Sequence, residues 1–329
     1  MKRITIISLI AITVVTYSCN PKNKTDESKK VQEVTMESPA FDGDSAYAFV
    51  VAQVAFGPRV PGTKAHNDCA KWMVEKFKTY CKTVIEQPFK TRIWNGTTVN
   101  GKNIIASFNP ENKVRIFLSA HWDSRPYADH DADPKNHNTP IDGANDGASG
   151  VGVLIEIARQ LSIKNPSIGV DIVLFDVEDW GEPQDTQTET EDNWCLGAQH
   201  WARNPHVPGY KARFGILLDM VGAANAEFAK EGTSMYYAAD FVEKVWKIAG
   251  QLGYSNYFVA RQSNGITDDH LYVNKIASIP TIDIVQHDPN TQSGFNKHWH
   301  TLNDNMSNIS KETLAVVGKV CLAVVYQEK

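Results

Sequence analysis

One stretch constrains this chain more than any other. The apolar run Val170-Asp171-Ile172-Val173-Leu174-Phe175 ends in Asp176-Val177-Glu178-Asp179-Trp180-Gly181. A short β-rich run of this kind reads as a buried strand. In open α/β sheets, ligands bind just beyond the carboxyl ends of the strands. Glu178 and Asp179 fall at that place. Neighbouring residues at a strand end point in different directions, so one carboxylate can hold a metal while the other moves protons. Taken alone, such a pair is more often a solvated acidic turn, and the rest of the chain has to overturn that reading.

Two more apolar strands end in polar residues. Val114–Ala120 runs into His121, Trp122 and Asp123, and Gly215–Leu218 runs into Asp219. Between them Gly143-Ala144-Asn145-Asp146-Gly147-Ala148-Ser149-Gly150 leads into an amphipathic helix over 151–161. Further helices are expected over 42–56, with Asp44 or Ser45 as cap, and over 64–80, 196–203, 241–252 and 313–326. Asn95-Gly96 is a hairpin signal between strand pieces 84–94 and a strand at 103–108. A last strand is expected over 279–285, and 124–142 is a long polar loop. Helices alternating with apolar strands predict a three-layer α/β fold: a mostly parallel, mixed central sheet with helices on both faces.

Of 329 residues, 42% are hydrophobic and 22% charged, which is globular; the net charge of −5 gives no electrostatic case for nucleic acid. The N-terminus reads differently. Lys2-Arg3, an apolar run from Ile4 to Tyr17 and Ser18-Cys19 resemble a lipoprotein-type signal peptide over 1–19, with a plain secretory signal as the alternative. Residues 20–39 read as a disordered tether and 40–329 as a single catalytic domain. The expectation is an exported lipoprotein facing the periplasm, held to a membrane only by a lipid at Cys19. Cys69, Cys81, Cys195 and Cys321 are then an even set, so disulfides are permitted and all three pairings stay open. No CxxC spacing points to a cysteine zinc site.

In a parallel sheet the polar strand ends collect at one edge. Carboxylates crowded there repel one another unless a cation or shared protons offset the charge. Each residue also has an ordinary reading: Asp146 and Asp268 as helix caps, Asp219 as a turn cap, His121 as a hydrogen-bonded buried histidine. Together, carboxylates and imidazoles around an open position are what a catalytic zinc requires.

The motifs around His121, Asp146, Glu178-Asp179, Asp219 and His300-Thr301 resemble the zinc aminopeptidase superfamily. Phe56-Gly57-Pro58-Arg59-Val60-Pro61-Gly62, Asp268-Asp269-His270 and Trp299-His300-Thr301-Leu302-Asn303-Asp304-Asn305 are similar to the glutaminyl-peptide cyclotransferases of animal type. That resemblance implies one zinc per chain on Asp146, Asp179 and His300. It implies Glu178 as the proton carrier, Asp219 and Asp268 as further catalytic acids, and Trp299 lining the substrate pocket. The implied partners are peptides with N-terminal Gln, and the implied state is a monomer. Asp219 and Asp268 are expected to share a proton. One departure stands out: the family often has Glu-Glu where this chain has Glu178-Asp179. Two other readings remain. In a two-zinc aminopeptidase, His121 and Asp219 would hold the second ion with Asp146 bridging. In a non-catalytic surface lipoprotein, the same fold would only bind.

Overall fold

The strand at Val170 forms because both of its faces are covered. The structure is a computed structural model and describes residues 38–184, 186 and 192–329. The expected signal peptide, Cys19 and tether residues 20–37 lie outside the described residues.

In chain order the elements are α1 (Gly43–Val54), α2 (Lys64–Tyr80), β1 (Thr83–Arg92), β2 (Thr98–Phe108), β3 (Arg115–His121), α3 (Ala148–Ile163) and β4 (Gly169–Phe175). They continue with α4 (Leu196–Arg203), β5 (Gly215–Asp219), β6 (Phe228–Lys230), α5 (Gly232–Gln251), β7 (Phe258–Gln262), α6 (Asp269–Tyr272), β8 (Thr281–Val285) and α7 (Lys311–Gln327). Six strands form the main sheet in the order β1-β2-β4-β3-β5-β8. The block β4-β3-β5-β8 is parallel, and β2 joins it antiparallel, with β1 completing a hairpin. The expected mostly parallel mixed sheet is therefore what forms.

Side chains alternate across this sheet with the strand period of two. Ile116 and Leu118 of β3, with Ile172 and Leu174 of β4, face a large core that also contains residues of α1, α2, α3, α5 and α7. Phe117, Val173 and Phe175 face a smaller core with Trp201 of α4 and Tyr272 of α6. Helix α3 lies close to the strands because Gly150 has no side chain. A Cβ there would meet Leu218 O at 2.2 Å and the Ala120 Cβ at 2.9 Å.

Several details differ from the sequence reading. The cap of α1 is Asp42, whose carboxylate accepts from Asp44 N and Ser45 N. Helix α5 starts nine residues before the expected Phe241 and kinks at Ala238. Its first turn, Gly-Thr-Ser-Met, carries no apolar periodicity; it forms because the Glu231 carboxylate accepts from Thr233 N and Ser234 N. The short parallel pair β6 and β7 was not expected. None of the permitted disulfides exists: Cys69, Cys81, Cys195 and Cys321 are buried free thiols. Cys81 instead donates to Ser107 O, and Cys195 to Glu178. Among the described residues no helix is long and apolar enough to cross a membrane.

Candidate active site

Strand β3 lies between β4 and β5, with α3 packed against one face of the sheet and α4 against the other. This is a switch point, and its crevice opens at the carboxyl ends of the strands. His121 ends β3, Asp219 ends β5, and Glu178 and Asp179 follow β4. The chain is bent hard to present them. Val177, Met220 and His300 have φ of 56°, 48° and 54°, the left-handed region that L-residues avoid. For β-branched Val177 this costs on the order of 1–3 kcal/mol, and such strain concentrates at functional sites.

Buried polar side chains hold these bends. Asp123 accepts from Glu178 N at 3.0 Å and Asp179 N at 3.2 Å. Asp304 does the same for Asn145 N at 2.7 Å and Asp146 N at 3.0 Å. Arg59, fully buried, donates to Trp122 O, Asp142 O and Gly143 O, pinning the loop that carries Asp146. Gly147 follows at φ 92°, and a Cβ there would press on Asp123 O and the His121 ring. Asp146 is thus not the helix cap; Gly147 holds that place, and Asp146 projects beside His121.

Two buried clusters share Asp146. In one, His121 Nε2 lies 2.9 Å from Asp146 Oδ1 and 3.1 Å from Asp219 Oδ1. In the other, His300 Nε2 lies 3.2 Å from Asp179 Oδ1 and 3.6 Å from Asp146 Oδ2. Each histidine has a carboxylate on its other nitrogen. His300 Nδ1 is 3.4 Å from Asp129, and His121 Nδ1 is 3.6 Å from Asp123. Arg125 grips Asp129 through two hydrogen bonds and comes within 3.5 Å of Asp179. Burial pushes His121 towards the neutral form, but Asp123, Asp146 and Asp219 outweigh it and hold the imidazole charged well above its usual range.

Glu178 faces the same cavity. Burial raises its carboxyl well above the usual range, and the charges of Asp179, Asp268 and Asp269 add to that rise. Its Oε1 accepts from the Cys195 thiol at 3.2 Å. Burial also pushes Asp219 up to about 7. Asp219 is hydrogen-bonded to His121, and Asp268 stands with His270 and Asp283 in a further buried cluster. Asp268 also caps α6, accepting from Asp269 N.

These groups line a cavity of about 150 Å³, together with Trp194, Ile266, Phe295 and Trp299. Trp299 stacks on the His300 ring with centroids 3.8 Å apart, and Trp194 lies parallel on the ring at 6.3 Å. All of the residues singled out in the sequence converge on this cavity or its wall: Asp146, Glu178, Asp179, Asp219, Asp268, Trp299 and His300. The sequence reading missed Arg125, Asp129, Trp194, Cys195 and Asp283. Only Asp283 left a signal, a carboxylate inside the apolar run Ile282-Asp283-Ile284.

The donor set at His300 fits a metal ion. Asp146, Asp179 and His300 bring two oxygens and a nitrogen within 4.8 Å of one another, the three-ligand pattern of a catalytic zinc. Asp179 Oδ2 is buried with no hydrogen-bond partner among the described residues, which an ion would relieve.

The pattern of peptidase family M28 matches residues 103–325. The chain belongs to peptidase family M28. Membership in the M28 family implies zinc. Among its solved relatives are a glutaminyl cyclase of Tannerella forsythia and a Zn-dependent exopeptidase of Parabacteroides distasonis. The first is 54% identical, with a TM-score of 0.87 over 88% of this chain and 100% of the other. The second is 53% identical, with a TM-score of 0.87 over 88% of this chain and 99% of the other. The glutaminyl-peptide cyclotransferase of Bothrops jararaca is 26% identical over 250 residues, 66% of this chain and 63% of that protein.

Proposed function

We propose that this M28 protein is a glutaminyl-peptide cyclotransferase that closes the N-terminal Gln of peptides to pyroglutamate and releases ammonia, using one zinc per chain. The observation that carries the reading is the pairing of Glu178 with the His300 cluster. A buried carboxyl with a raised proton affinity opens into the same small cavity as a three-donor metal position. The likeness to the Tannerella forsythia glutaminyl cyclase along 88% of the chain supports it.

Asp146, Asp179 and His300 would hold the zinc. Bound there, zinc would polarise the substrate's side-chain amide carbonyl and offset the charge that develops on its oxygen. The α-amine attacks the side-chain amide carbon, the C–N bond to the side-chain nitrogen breaks, and a five-membered lactam and ammonia result. Glu178 takes one proton from the attacking amine and returns it to the departing nitrogen, so the enzyme ends as it began. A carboxyl whose proton affinity is raised by burial is suited to both halves of that transfer. Nucleophile and electrophile belong to one residue, so the walls need only fold it into attack geometry. Trp299, Trp194 and Phe295 supply apolar walls for this. Asp268, within 4.8 Å of Glu178 and Cys195, and Asp219, fixed by His121, complete the acid network around the proton carrier. At the second cluster His121 Nε2 already stands at hydrogen-bond distance from both carboxylates, which favours one zinc over two. The apolar run before Cys19 supports export and lipid anchoring as part of the same proposal.

The test is a Gln-peptide assay that follows ammonia release, with chelation and zinc add-back, on wild type and Glu178→Gln. Cyclisation should vanish on chelation and return with one equivalent of zinc. Glu178→Gln should retain zinc and lose at least about a hundredfold in kcat. Release of a free N-terminal residue by a protein carrying two zincs would replace this reading with the aminopeptidase one.

A further inference from the structure

The catalytic cavity is too small for a peptide. Its volume of about 150 Å³ lies below the roughly 300–1,000 Å³ typical of ligand pockets. It holds one residue, and the rest of the substrate has to leave it. A second cleft, of about 560 Å³, begins where the first ends. Phe295 and Trp299 line both. Trp299 is the partition between them: one ring contact is to His300 in the cavity, centroids 3.8 Å apart, and another to His130 in the cleft, at 4.3 Å. Phe295 packs on the same indole at 4.8 Å.

The two spaces differ sharply in charge. Asp146, Glu178, Asp179, Asp219 and Asp268 all line the cavity. Among the described residues no acid lines the cleft; its polar side chains include Gln184, Gln292 and Asn296, and Lys297 is the cation among them. Lys297 is exposed and can reach a passing side chain. A peptide whose first residue enters the acidic cavity therefore runs its second and third residues over Trp299 towards Lys297.

We infer that the cleft formed by His130, Gln292, Phe295, Asn296, Lys297 and Trp299 is the binding site for the substrate chain beyond its N-terminal residue, and that Lys297 selects acidic side chains there. This rests on the cyclotransferase reading and adds its substrate preference. Contacts made before and during the reaction alike lower KM without raising kcat. The selection should thus appear in KM. Its size is that of an exposed ion pair, up to about fivefold.

The experiment compares C-terminally amidated Gln-Gly-Gly, Gln-Glu-Gly, Gln-Gly-Glu and Gln-Lys-Gly with glutaminamide, which has nothing beyond its first residue. Wild type should give its lowest KM with a Glu-containing peptide and its highest with the Lys peptide. Lys297→Ala should level the series, and Lys297→Glu should invert it. Glutaminamide should show the same kcat and KM in all three proteins, because Lys297 is outside the cavity. A Glu-to-Lys ratio unchanged in Lys297→Glu would overturn the assignment of Lys297, as would equal KM values for every peptide in wild type. Failure of wild type to cyclise glutaminamide or any of the peptides is a different result, and it removes the cyclotransferase reading along with this one.

Discussion

His121 and His300 each stand between two buried carboxylates, and they share one of them, Asp146. Their surroundings match further, since each has another aspartate near its second nitrogen. The difference lies in spacing and in one oxygen. His121 Nε2 sits 2.9 and 3.1 Å from its two carboxylates, distances that an N–H closes by itself. His300 Nε2 sits 3.2 and 3.6 Å away, and Asp179 Oδ2 beside it has no partner among the described residues. Carboxylates favour the charged imidazole in both clusters, but only beside His300 does a ligand oxygen, Asp179 Oδ2, lack the partner that an ion would supply among the described residues. Residue type alone does not make a metal site. The unsatisfied oxygen of Asp179 is what sets the His300 cluster apart from its twin.

The largest test breaks the metal cluster and compares it with its twin. His300→Ala should lose zinc at chelator-free equilibrium and at least about a thousandfold in cyclisation, the several kcal/mol that a Lewis acid supplies. His121→Asn keeps a donor towards Asp146 and Asp219 and should retain one zinc, measured by metal analysis of the purified protein. If His121→Asn loses zinc as completely as His300→Ala, the two clusters act as one binuclear site. A smaller effect is expected one step further out. Asp129→Asn removes the negative charge beside His300 Nδ1 while leaving Arg125 in place. Zinc affinity should fall about 10–100-fold, read by competition with a chromophoric chelator. Zinc retained at wild-type affinity would show that the Arg125–Asp129 pair only fills space.

How much of this was legible before the structure follows from where each residue sits. Glu178, Asp179, Asp219 and His121 end apolar strands, so periodicity located them and parallel topology gathered them. Asp146 was found by its Gly-rich turn, although its ordinary role as a helix cap was the wrong one. The residues that orient the site were hidden for a different reason. Arg125 and Asp129 lie in a loop without hydrophobic pattern, and their partners, Asp179 and His300, are 54 and 171 positions away in sequence. Cys195 looked like one of an even set of cysteines. Parity carries no information about distance, and its thiol went to a carboxylate instead. The sheet was readable because burial on both faces writes itself into composition. The first half of α5 was not, because its cap, Glu231, acts through local hydrogen bonds.

A third buried pair calibrates the other two. His270 Nε2 lies 3.0 Å from Glu231 Oε2, and that carboxylate also caps α5 and accepts from Ile266 N. Glu231 does not itself line the catalytic cavity, and its charge is read most directly through stability. Burial raises its pKa, but the hydrogen bonds from His270 and Ser234 and the charge of His270 outweigh that and bring it to about 2. A depressed carboxylate stabilises the fold above its unfolded pKa, near 4.5, and loses that contribution as pH falls through about 2. Glu231→Gln should therefore be less stable than wild type at pH 6 by on the order of 2 kcal/mol. The gap should shrink between about pH 4.5 and 2 in urea titrations. A gap independent of pH would mean that the lost packing, and not the charge, sets the difference.

The smallest effect tests the residue nearest the boundary between the two clusters. Glu178 Oε2 lies 3.9 Å from His121 Nδ1, while its Oε1 takes the Cys195 thiol at 3.2 Å. Cys195 itself is fixed in a left-handed conformation, φ 58°, with its backbone N donating to Glu178 O at 3.0 Å. The thiol thus aims the proton carrier without touching the metal cluster. Because S–H is a weak donor, its removal should cost about 1 kcal/mol, or roughly fivefold in kcat. Cys195→Ala should show that loss with KM and zinc content unchanged. Cys195→Ser restores a donor, although its shorter bond leaves the hydrogen bond longer, and should recover most of the rate. Equal losses in Ala and Ser would assign Cys195 to packing. A drop confined to Ala would establish that Glu178 is oriented from the α4 side of the sheet, while the zinc position is oriented through Arg125 and Asp129.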